Sequence, residues 1–419
     1  MGFQFRKIIL TSLIPISIIS CKSHFVKRNL TNSVILKQSY TGFSLFDLTE
    51  NKVITNINAE KHFQPASNMK LFTFYAGLKV LGDSVPALKY IKNGDSLIFW
   101  GTGDPSLSHP DLPKSKVIDF LKNRTEKLYF SVANNFQNTT GNGWMIDDYN
   151  DHYQAEINSL PIYGNTIRFF AKNNELKSIP EFAFEYDSAG VPGKKIIRAI
   201  NANVFSFPHD SLSDHFYQEI PFKTSPNEVS SVLTTEINKQ NFKKYKYIET
   251  VNKRIPEKYS TLYSVKTDSL YKRMMLVSDN MIAEQILLLV SKTDSLNSKK
   301  SIEYVTKTYL NDLPDQLRWV DGSGLSRYNL ATPRSLIYVL KKIYEEFPKE
   351  RIYDLMPKNK EDIYAKSGSF SNNYNLSGYL IGKSGKTYAF SFMNNNFMIP
   401  TKEIRIEVDN LLNKLQRKL

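Results

Sequence analysis

The sequence has few of the residues that carry covalent crosslinks, metal ions or histidine-based catalysis. Its 419 residues include a single cysteine, Cys21, so an internal disulfide is excluded. None of its six histidines lies in a His-Glu-x-x-His pattern or beside a second histidine at metal-ligand spacing. Gly-x-Ser-x-Gly, which presents the serine of many histidine-dependent triads, is also absent. We therefore expect no metal, no other cofactor and no Ser-His-Asp triad.

The N-terminal apolar run is too short to cross a membrane. It has 12 residues, 8–19, follows Arg6 and Lys7, and falls below the roughly 20 residues that a spanning helix needs. It ends in Ile18-Ile19-Ser20-Cys21, which resembles the bacterial lipobox, whose cysteine becomes the lipidated first residue of the mature protein. We predict a signal peptide over residues 1–20, lipidation of Cys21 and a polar tether over residues 21–40. The protein would then face the periplasm from a membrane, with the outer membrane as the expected location.

The charge balance is basic, with a formal net charge of +14, to which Arg6 and Lys7 contribute two. A basic surface attracts polyanions, yet no run of clustered lysines with interleaved aromatics stands out. An exported protein does not meet nucleic acid, so we expect no nucleic-acid partner. The charge fits solvated faces, or attraction to an acidic envelope polymer or an anionic membrane surface.

The chain is too long for one ordinary core and predicts two or three domains. A hairpin and a helix begin it, short strand-like runs with Asn, Asp, Gly and Pro fill its middle, and helices, two strands and an amphipathic helix end it. The two ends resemble one domain split by an insertion. We predict a catalytic domain over residues 41–84 and 268–419, with a β-rich insertion over residues 85–267.

A serine and a lysine lie one helical turn apart at the start of a predicted helix. Residues at i and i+3 are neighbours, so the amine of Lys70 can reach the hydroxyl of Ser67 and take its proton when the amine is neutral. Ser-x-x-Lys is a weak pattern, and Ser269-Leu270-Tyr271-Lys272 also matches it.

Two further motifs follow Ser67 in a consistent order. Ser278-Asp279-Asn280 opens an apolar helical stripe, and Lys366-Ser367-Gly368 continues a strand-like run. Lys383-Ser384-Gly385 repeats the third motif, but it lies between two alternating apolar runs, where a polar hairpin turn is expected. We therefore assign the third motif to residues 366–368.

The chemistry of these groups predicts the reaction centre. Ser67 would attack a carbonyl, and Lys70 would accept its proton if burial and a nearby Lys366 lower the pKa of Lys70. Ser278 would relay a proton to the leaving amine, while Asn280 would hold the substrate amide and Lys70.

The third motif predicts the contacts that hold the substrate. Lys366 and Ser367 would offer a cation and a hydroxyl to a substrate carboxylate. The backbone N–H groups of Ser67 and Ser369 would form the oxyanion hole, and Gly368 would also contribute to substrate binding.

The ordered motifs resemble those of the class C low-molecular-weight penicillin-binding proteins, the D-alanyl-D-alanine carboxypeptidase/endopeptidase family. The resemblance covers residues 41–415 and includes the insertion. It departs at Ser367, where the family usually has threonine, although the hydroxyl is retained. The matching segments are residues 65–71, 101–105, 143–148, 278–284, 321–327 and 365–368.

The resemblance implies an α+β fold, a penicillin-binding/β-lactamase-like transpeptidase domain with an antiparallel sheet flanked by helices. It implies peptidoglycan stem peptides as substrates and β-lactams as acylating inhibitors. Asp321, Gly322 and Ser323 would lie beside the active site and support it rather than react. Asp147 or Asp148 would help to receive the charged end of the stem peptide.

Two other functions share part of this pattern. A serine β-lactamase carries the same motifs but normally has far fewer residues between the first two. A catalytically idle wall-binding lipoprotein would not need Ser67, Lys70, Asn280 and Lys366 intact. We therefore predict a serine DD-peptidase, with the choice between carboxypeptidase and endopeptidase left open.

Overall fold

The protein is described by a computed structural model that covers residues 22–172, 175–181, 185–208, 213, 215–239, 245–291, 293–359 and 362–419. These residues form two units. Unit 1 comprises the described residues up to Phe72 together with Leu310–Trp319 and Arg327–Leu419, and unit 2 comprises Thr73–Tyr309 and Val320–Ser326.

Unit 1 is built on a five-stranded antiparallel sheet that joins the two ends of the chain. The strand order is β14-β15-β16-β1-β2, so the N-terminal hairpin extends the C-terminal one. Strand β1 pairs with β16 from Tyr40 opposite Asn395 to Asp47 opposite Tyr388. Through this pairing, the sheet joins the first and last parts of the chain. Its strands are β1 (Tyr40–Asp47), β2 (Lys52–Ile57), β14 (Ile363–Phe370), β15 (Asn373–Ile381) and β16 (Thr387–Asn395).

Helices cover this sheet and bury apolar side chains against it. The last helix turns Ile404, Val408 and Leu412 inward at helical spacing. Thr332 caps another helix by accepting a hydrogen bond from the N–H of Ser335, as its Thr-Pro start predicts. The helices of this unit are α1 (residues 22–32), the start of α2 (Lys70–Val80), α8 (Pro333–Glu346), α9 (Lys349–Leu355) and α10 (Thr401–Lys418).

The polar tether predicted over residues 21–40 is wrong for residues 22–38. Residues 22–32 form α1, and Val26, Leu30 and Leu36 are buried in the same apolar cluster as Leu411 and Leu415 of α10. The apolar residues of this stretch are few, but burial against α10 and the sheet stabilises a short helix that would be marginal alone. Residues 1–20 and Cys21 lie outside the described residues.

Unit 2 contains the β-rich segment and several helices. Strands β3 to β13 lie between Ser84 and Lys266, which matches the predicted insertion, in sheets ordered β12-β5-β4-β3-β13, β8-β10-β9 and β11-β6-β7. Residues 268–309, which we predict to belong to the catalytic domain, are part of unit 2. The strands are β3 (Ser84–Asn93), β4 (Ser96–Gly101), β5 (Lys127–Ser131), β6 (Thr166–Lys172), β7 (Glu175–Ile179), β8 (Glu185–Val191), β9 (Ile197–Arg198), β10 (Val204–Pro208), β11 (Tyr217–Pro221), β12 (Ile248–Val251) and β13 (Ser260–Lys266). The helices are α3 (Val117–Lys122), α4 (Pro226–Asn238), α5 (Thr267–Leu276), α6 (Asn280–Leu289) and α7 (Ser298–Tyr309), besides the rest of α2.

Candidate active site

The predicted nucleophile lies on a tight turn rather than in the α-helix itself. Ala66–Met69 form a single 3-10 turn, and α2 begins at Lys70. Ala66 has φ of 47°, in the left-handed region that a non-glycine residue seldom occupies. Such a conformation costs on the order of 1–3 kcal/mol and persists only where the surroundings enforce it. The backbone is therefore constrained directly before Ser67.

The first motif forms the contact that its spacing predicts. Lys70 Nζ donates a hydrogen bond to Ser67 Oγ at 3.1 Å. Lys70 is fully buried and Ser67 is half-buried, so the hydroxyl remains accessible while the amine is shielded from water. A buried amine within hydrogen-bond distance of a serine can act as the base for that serine once it is neutral.

The amide of Asn68 connects the nucleophile turn to the sheet. Its Nδ2 donates to the carbonyl oxygen of Lys366 at 3.1 Å and to that of Asn375 at 3.4 Å. Because these carbonyls belong to β14 and β15, one side chain holds the turn against two strands.

Strand β14 meets the turn backbone to backbone at Gly368. A Cβ atom at this position would lie 2.6 Å from the carbonyl oxygen of Pro65 and 2.7 Å from the backbone nitrogens of Ser67 and Asn68. No side chain fits at such distances. The third motif needs its glycine because the two backbones approach directly.

Lys366 places a second amine in the buried part of this site. Only 2% of its surface is exposed, and its Nζ donates to the carbonyl oxygen of Ser367 at 2.8 Å. Burial, and then the cation of Lys70, lower the pKa of Lys366 well below its ordinary value. Two adjacent buried ammonium groups are unfavourable, so the pair favours states in which one amine is neutral.

The alternation of β14 turns its serines outward. Ser367 and Ser369 are exposed, whereas Lys366 and Gly368 are buried. Among the described residues, β15 is the only strand that pairs with β14, and an isolated bridge from Lys358 to Tyr364 occupies the start of its other edge. Beyond that bridge, this edge can pair with an extended peptide.

The alternative matches occupy ordinary structural positions. Lys383, Ser384 and Gly385 are exposed and form the turn between β15 and β16, as predicted. Ser269 and Lys272 lie within α5, with Lys272 exposed.

The second motif forms the start of α6 in unit 2. Asp279 caps the helix by accepting a hydrogen bond from the N–H of Ile282 at 3.0 Å. Ser278, directly before this cap, has φ of 61°. Asn280 Nδ2 donates to the carbonyl oxygen of Tyr153 at 3.0 Å. The second motif belongs to unit 2, whereas Ser67, Lys70 and Lys366 belong to unit 1.

A network of charges that the sequence did not predict holds the capping residue. Arg273 Nε donates to Asp279 at 2.9 Å, and Arg273 Nη2 pairs with Asp111 at the same distance. Asp111 also accepts hydrogen bonds from both terminal nitrogens of Arg168. Nearby His109 is buried, and burial lowers its pKa to about 4. The cap of α6 is thus tied to residues of the β-rich segment.

In the loop after Val320, the side chain of Asp321 accepts hydrogen bonds from the backbone of the same loop. Buried Asp321 accepts hydrogen bonds from the N–H groups of Gly324 at 2.8 Å and Ser326 at 2.6 Å. The indole N–H of Trp144 donates to the same carboxylate at 2.9 Å. These contacts hold the loop in shape; that the loop supports the active site stays a prediction.

Glu284 is a further buried acid that the sequence analysis did not single out. Its carboxylate accepts the N–H groups of Gly322 at 3.0 Å and Ser323 at 2.7 Å. Burial, and then the charge of Asp321, raise its pKa to about 8. A lone acid inside the apolar stripe of α6 was the available signal, because a fully buried carboxyl group requires partners.

The two predicted stem-peptide acids lie at the end of a short turn. Asp147 is exposed and Asp148 is half-buried within Ile146–Asp148. Among the described residues, no three His, Cys, Asp or Glu side chains cluster so as to hold a metal ion.

Comparison with protein families identifies the chain. A sequence model of the D-Ala-D-Ala carboxypeptidase 3 (S13) family matches residues 25–188 and 227–415. The chain belongs to the S13 family. Membership confirms the predicted resemblance and the predicted enzyme class, a serine-type D-Ala-D-Ala carboxypeptidase acting on peptidoglycan.

Two curated relatives support the assignment at the level of sequence. The chain is 24% identical over 408 residues to D-alanyl-D-alanine carboxypeptidase DacB of Haemophilus influenzae, covering 84% of each chain. It is 23% identical over 395 residues to penicillin-sensitive carboxypeptidase A of Dictyostelium discoideum, covering 79% of this chain and 73% of the relative.

A solved structure supports the fold. Penicillin binding protein 4 (dacB) of Haemophilus influenzae matches with a TM-score of 0.75 at 20% identity, over 94% of this chain and 99% of that one. The S13 chain therefore has the predicted α+β penicillin-binding fold. Within its described part, no helix has the length and hydropathy to cross a bilayer.

Proposed function

We propose that Ser67 is the nucleophile of this DD-peptidase and Lys70 its base. The observation that carries the proposal is the 3.1 Å hydrogen bond between a fully buried lysine and a half-buried serine. The substrate is a peptidoglycan stem peptide, and the bond cleaved is the terminal D-Ala-D-Ala bond, the crosslink from D-Ala to the diamino acid, or both.

Substrate binding activates the base through Lys366. A substrate carboxylate beside Lys366 favours its ammonium form, and an ammonium there disfavours a second one on Lys70. Lys70 is then neutral when the carbonyl arrives. Ser67 Oγ attacks, its proton passes to Lys70, and an O–C bond replaces the C–N bond of the peptide.

The second motif completes proton transfer to the leaving group. Ser278 passes the proton from Lys70 to the leaving amine, and Asn280 holds the substrate amide. The capping of α6 by Asp279 and the constrained backbone of Ser278 support this role, because both fix the direction of these side chains. Water then hydrolyses the acyl-enzyme and regenerates Ser67.

The oxyanion hole is formed by the backbone N–H groups of Ser67 and Ser369. The close contact of Gly368 with the turn supports this assignment, because it holds β14 rigidly against the nucleophile. Loss of one such donor typically costs about 10²–10³ in rate. Ser367 adds its hydroxyl to Lys366 for the substrate carboxylate, and Asp147 or Asp148 receives the charged end of the stem peptide.

Labelled penicillin tests the nucleophile. Ser67→Ala should take up no label, because no acyl-enzyme can form without the hydroxyl. Ser269→Ala, in the alternative Ser-x-x-Lys match within α5, is the matched control and should label like the wild type. Equal labelling of wild type and Ser67→Ala would falsify the assignment.

Digestion of purified sacculi tests the bond preference and the alternatives. Mass analysis distinguishes release of D-alanine from opening of crosslinks. Rapid turnover of the β-lactam without a stable adduct would favour a β-lactamase instead. No release from either substrate, with intact wall binding, would favour a non-catalytic wall-binding protein.

We propose a lipid anchor at Cys21 that holds the enzyme on a membrane of the cell envelope, facing the periplasm, with the outer membrane as the expected site. The lipobox supports the anchor. Because α1 already includes residue 22 and buries Val26 and Leu30, the anchor would hold unit 1 close to the membrane surface.

Lipid labelling tests this location. Cys21→Ser should abolish incorporation of labelled fatty acid and leave the precursor uncleaved, while penicillin labelling continues because the catalytic residues are unchanged. N-terminal sequencing gives the decisive control. A mature chain that begins at any residue other than Cys21 contradicts the anchor.

A further inference from the structure

Unit 2 contains a cavity that none of the proposed catalytic residues lines. Its volume is about 750 Å³, within the usual range for small-molecule sites. The end of β5, the segment around Asn158 and the first turns of α4 form its walls. The nucleophile and the third motif belong to unit 1, so this cavity requires a separate explanation.

A buried amide in the cavity wall lacks a hydrogen-bond acceptor. Asn158 is only 5% exposed, and its Oδ1 accepts the N–H of Leu160 at 2.9 Å. Its Nδ2 finds no hydrogen-bond partner among the described residues. A buried donor without a partner costs about 1–3 kcal/mol. A ligand in the cavity with an acceptor such as an amide carbonyl would satisfy this donor.

The charges in the wall are already paired. Glu156 forms an ion pair with Lys223, and it also accepts hydrogen bonds from the N–H of Thr224 at 2.8 Å and its hydroxyl at 2.9 Å. Among the described residues that line the cavity, this lysine is the only cation, and the buried carboxylate neutralises it. An anionic ligand would have to displace this pair, so a phosphate or carboxylate is disfavoured.

The remaining lining consists of uncharged polar groups above an apolar floor, with Glu228 at the exposed rim. Side-chain amides and hydroxyls can donate to and accept from a ligand that carries hydroxyl and acetamide groups. The apolar floor suits the C–H faces of a sugar ring. The uncharged polar lining includes Asn135, Asn203 and Ser231, and the floor includes Phe130, Leu160 and Val232.

We propose that this cavity binds an N-acetylated saccharide, the chemistry of the peptidoglycan glycan strand. This inference rests on the proposed function, since it places the strand that bears the stem peptides on the same protein that cleaves them. Glycan binding in unit 2 would raise the local concentration of stem peptides at the catalytic serine. Small soluble peptides, which have no glycan, would gain nothing from it.

Titration of the full chain with tri-N-acetylchitotriose tests the inference. The trisaccharide should bind the wild type, and maltotriose, which has no acetamides, should bind at least tenfold more weakly. Ser231→Trp fills the cavity from an exposed position on α4 and should weaken binding at least tenfold. Asn227→Trp, exposed on the same helix but outside the cavity, is the matched control.

A second variant tests the amide itself. Asn158→Asp keeps the acceptor for the N–H of Leu160 but removes the donor, so it should weaken trisaccharide binding while penicillin labelling shows that the chain is folded. This variant also decides the matter if Ser231→Trp does not fold. Both folded variants should release D-alanine from a soluble pentapeptide at the wild-type rate and should digest sacculi more slowly.

The outcomes separate the two proposals. The glycan inference is overturned if the trisaccharide fails to bind the wild type at millimolar concentration, or if Asn158→Asp binds it normally. Failure of penicillin labelling in the wild type, with trisaccharide binding intact, instead overturns the assigned nucleophile and leaves the glycan site standing.

Discussion

The tripeptide Lys-Ser-Gly occurs twice in unit 1, once with a buried lysine and once with an exposed one. Residues 366–368 lie within β14, where Lys366 is 2% exposed and Gly368 contacts the backbone of the nucleophile turn. Residues 383–385 form the exposed turn between β15 and β16, where Ser384 donates to the carbonyl oxygen of Leu419. The same tripeptide therefore contains a buried lysine in β14 and forms an exposed hairpin turn between β15 and β16.

The two tripeptides differ in the environment of their glycine and of their lysine. The two glycines are needed for different reasons. Gly385 has φ of 77°, in the left-handed region that favours glycine. At Gly368, a Cβ atom would collide with neighbouring backbone. The two lysines also differ in burial, because Lys366 is shielded from water and Lys383 is exposed to it. Of the two lysines, only Lys366 lies beside a second buried amine, that of Lys70, whose charge helps to lower the pKa of Lys366.

Replacing the lysines should give the largest contrast. Lys366→Ala should lower both the rate of penicillin acylation and kcat/KM for a pentapeptide by about 100-fold or more, because it removes the cation for the substrate carboxylate. Lys383→Ala should change neither by more than about twofold, since the side chain is exposed in the turn. If Lys383→Ala were the crippling change, the third motif would be misassigned.

Replacing the glycines should separate activity from local strain. Gly368→Ala should slow acylation by about 10-fold or more, because the new methyl group pushes β14 away from Ser67. Gly385→Ala should cost about 1 kcal/mol of stability through its left-handed backbone and leave acylation unchanged. Acylation rates and urea unfolding distinguish the two effects. Normal acylation in Gly368→Ala would show that the contact does not position the nucleophile.

Removing the buried amine should change stability in the opposite direction to activity. Because the folded-state pKa of Lys366 is lowered, the unfolded chain binds more protons than the folded one between that pKa and about 10.5. The contribution of this lysine to stability therefore rises with pH across that window. Lys366→Met should raise the melting temperature at pH 7 by on the order of a few °C and lose this part of the pH dependence.

The matched control for stability is Lys383→Met. Its exposed side chain should leave the melting temperature and its pH dependence close to those of the wild type. Thermal unfolding of the three proteins between pH 7 and 9 provides the measurement. A lower melting temperature for Lys366→Met would mean that the amine stabilises the folded chain.

Local pattern was sufficient for most of the elements near the site. The N-terminal hairpin, the two C-terminal strands and the helical stripe after Ser278 were predicted because alternation and helical periodicity depend on nearby residues. Residues 22–38 were predicted wrongly because α1 gains its stability from α10, at the other end of the chain. Val26 and Leu30, four residues apart, were too few to indicate a helix.

The contacts of the buried and paired charged residues, such as Glu284 and Arg273, were harder to predict. Nothing near Glu284 in the sequence shows that its carboxylate accepts the N–H groups of Gly322 and Ser323. Likewise, the contact of Arg273 with Asp279 is local, but its contact with Asp111 depends on the packing of the β-rich segment. Long-range polar contacts leave no periodic pattern.

The sequence by itself determined the motif order, the S13 resemblance and the pairing of Ser67 with Lys70, because one helical turn separates them. Only the tertiary structure showed that Lys366 is buried and that Gly368 contacts the backbone at Ser67, since both features arise from strands distant from Ser67 in the chain. It also showed that α1 packs against α10. Desolvation and close packing depend on all neighbours in space, and the sequence shows only the neighbours along the chain.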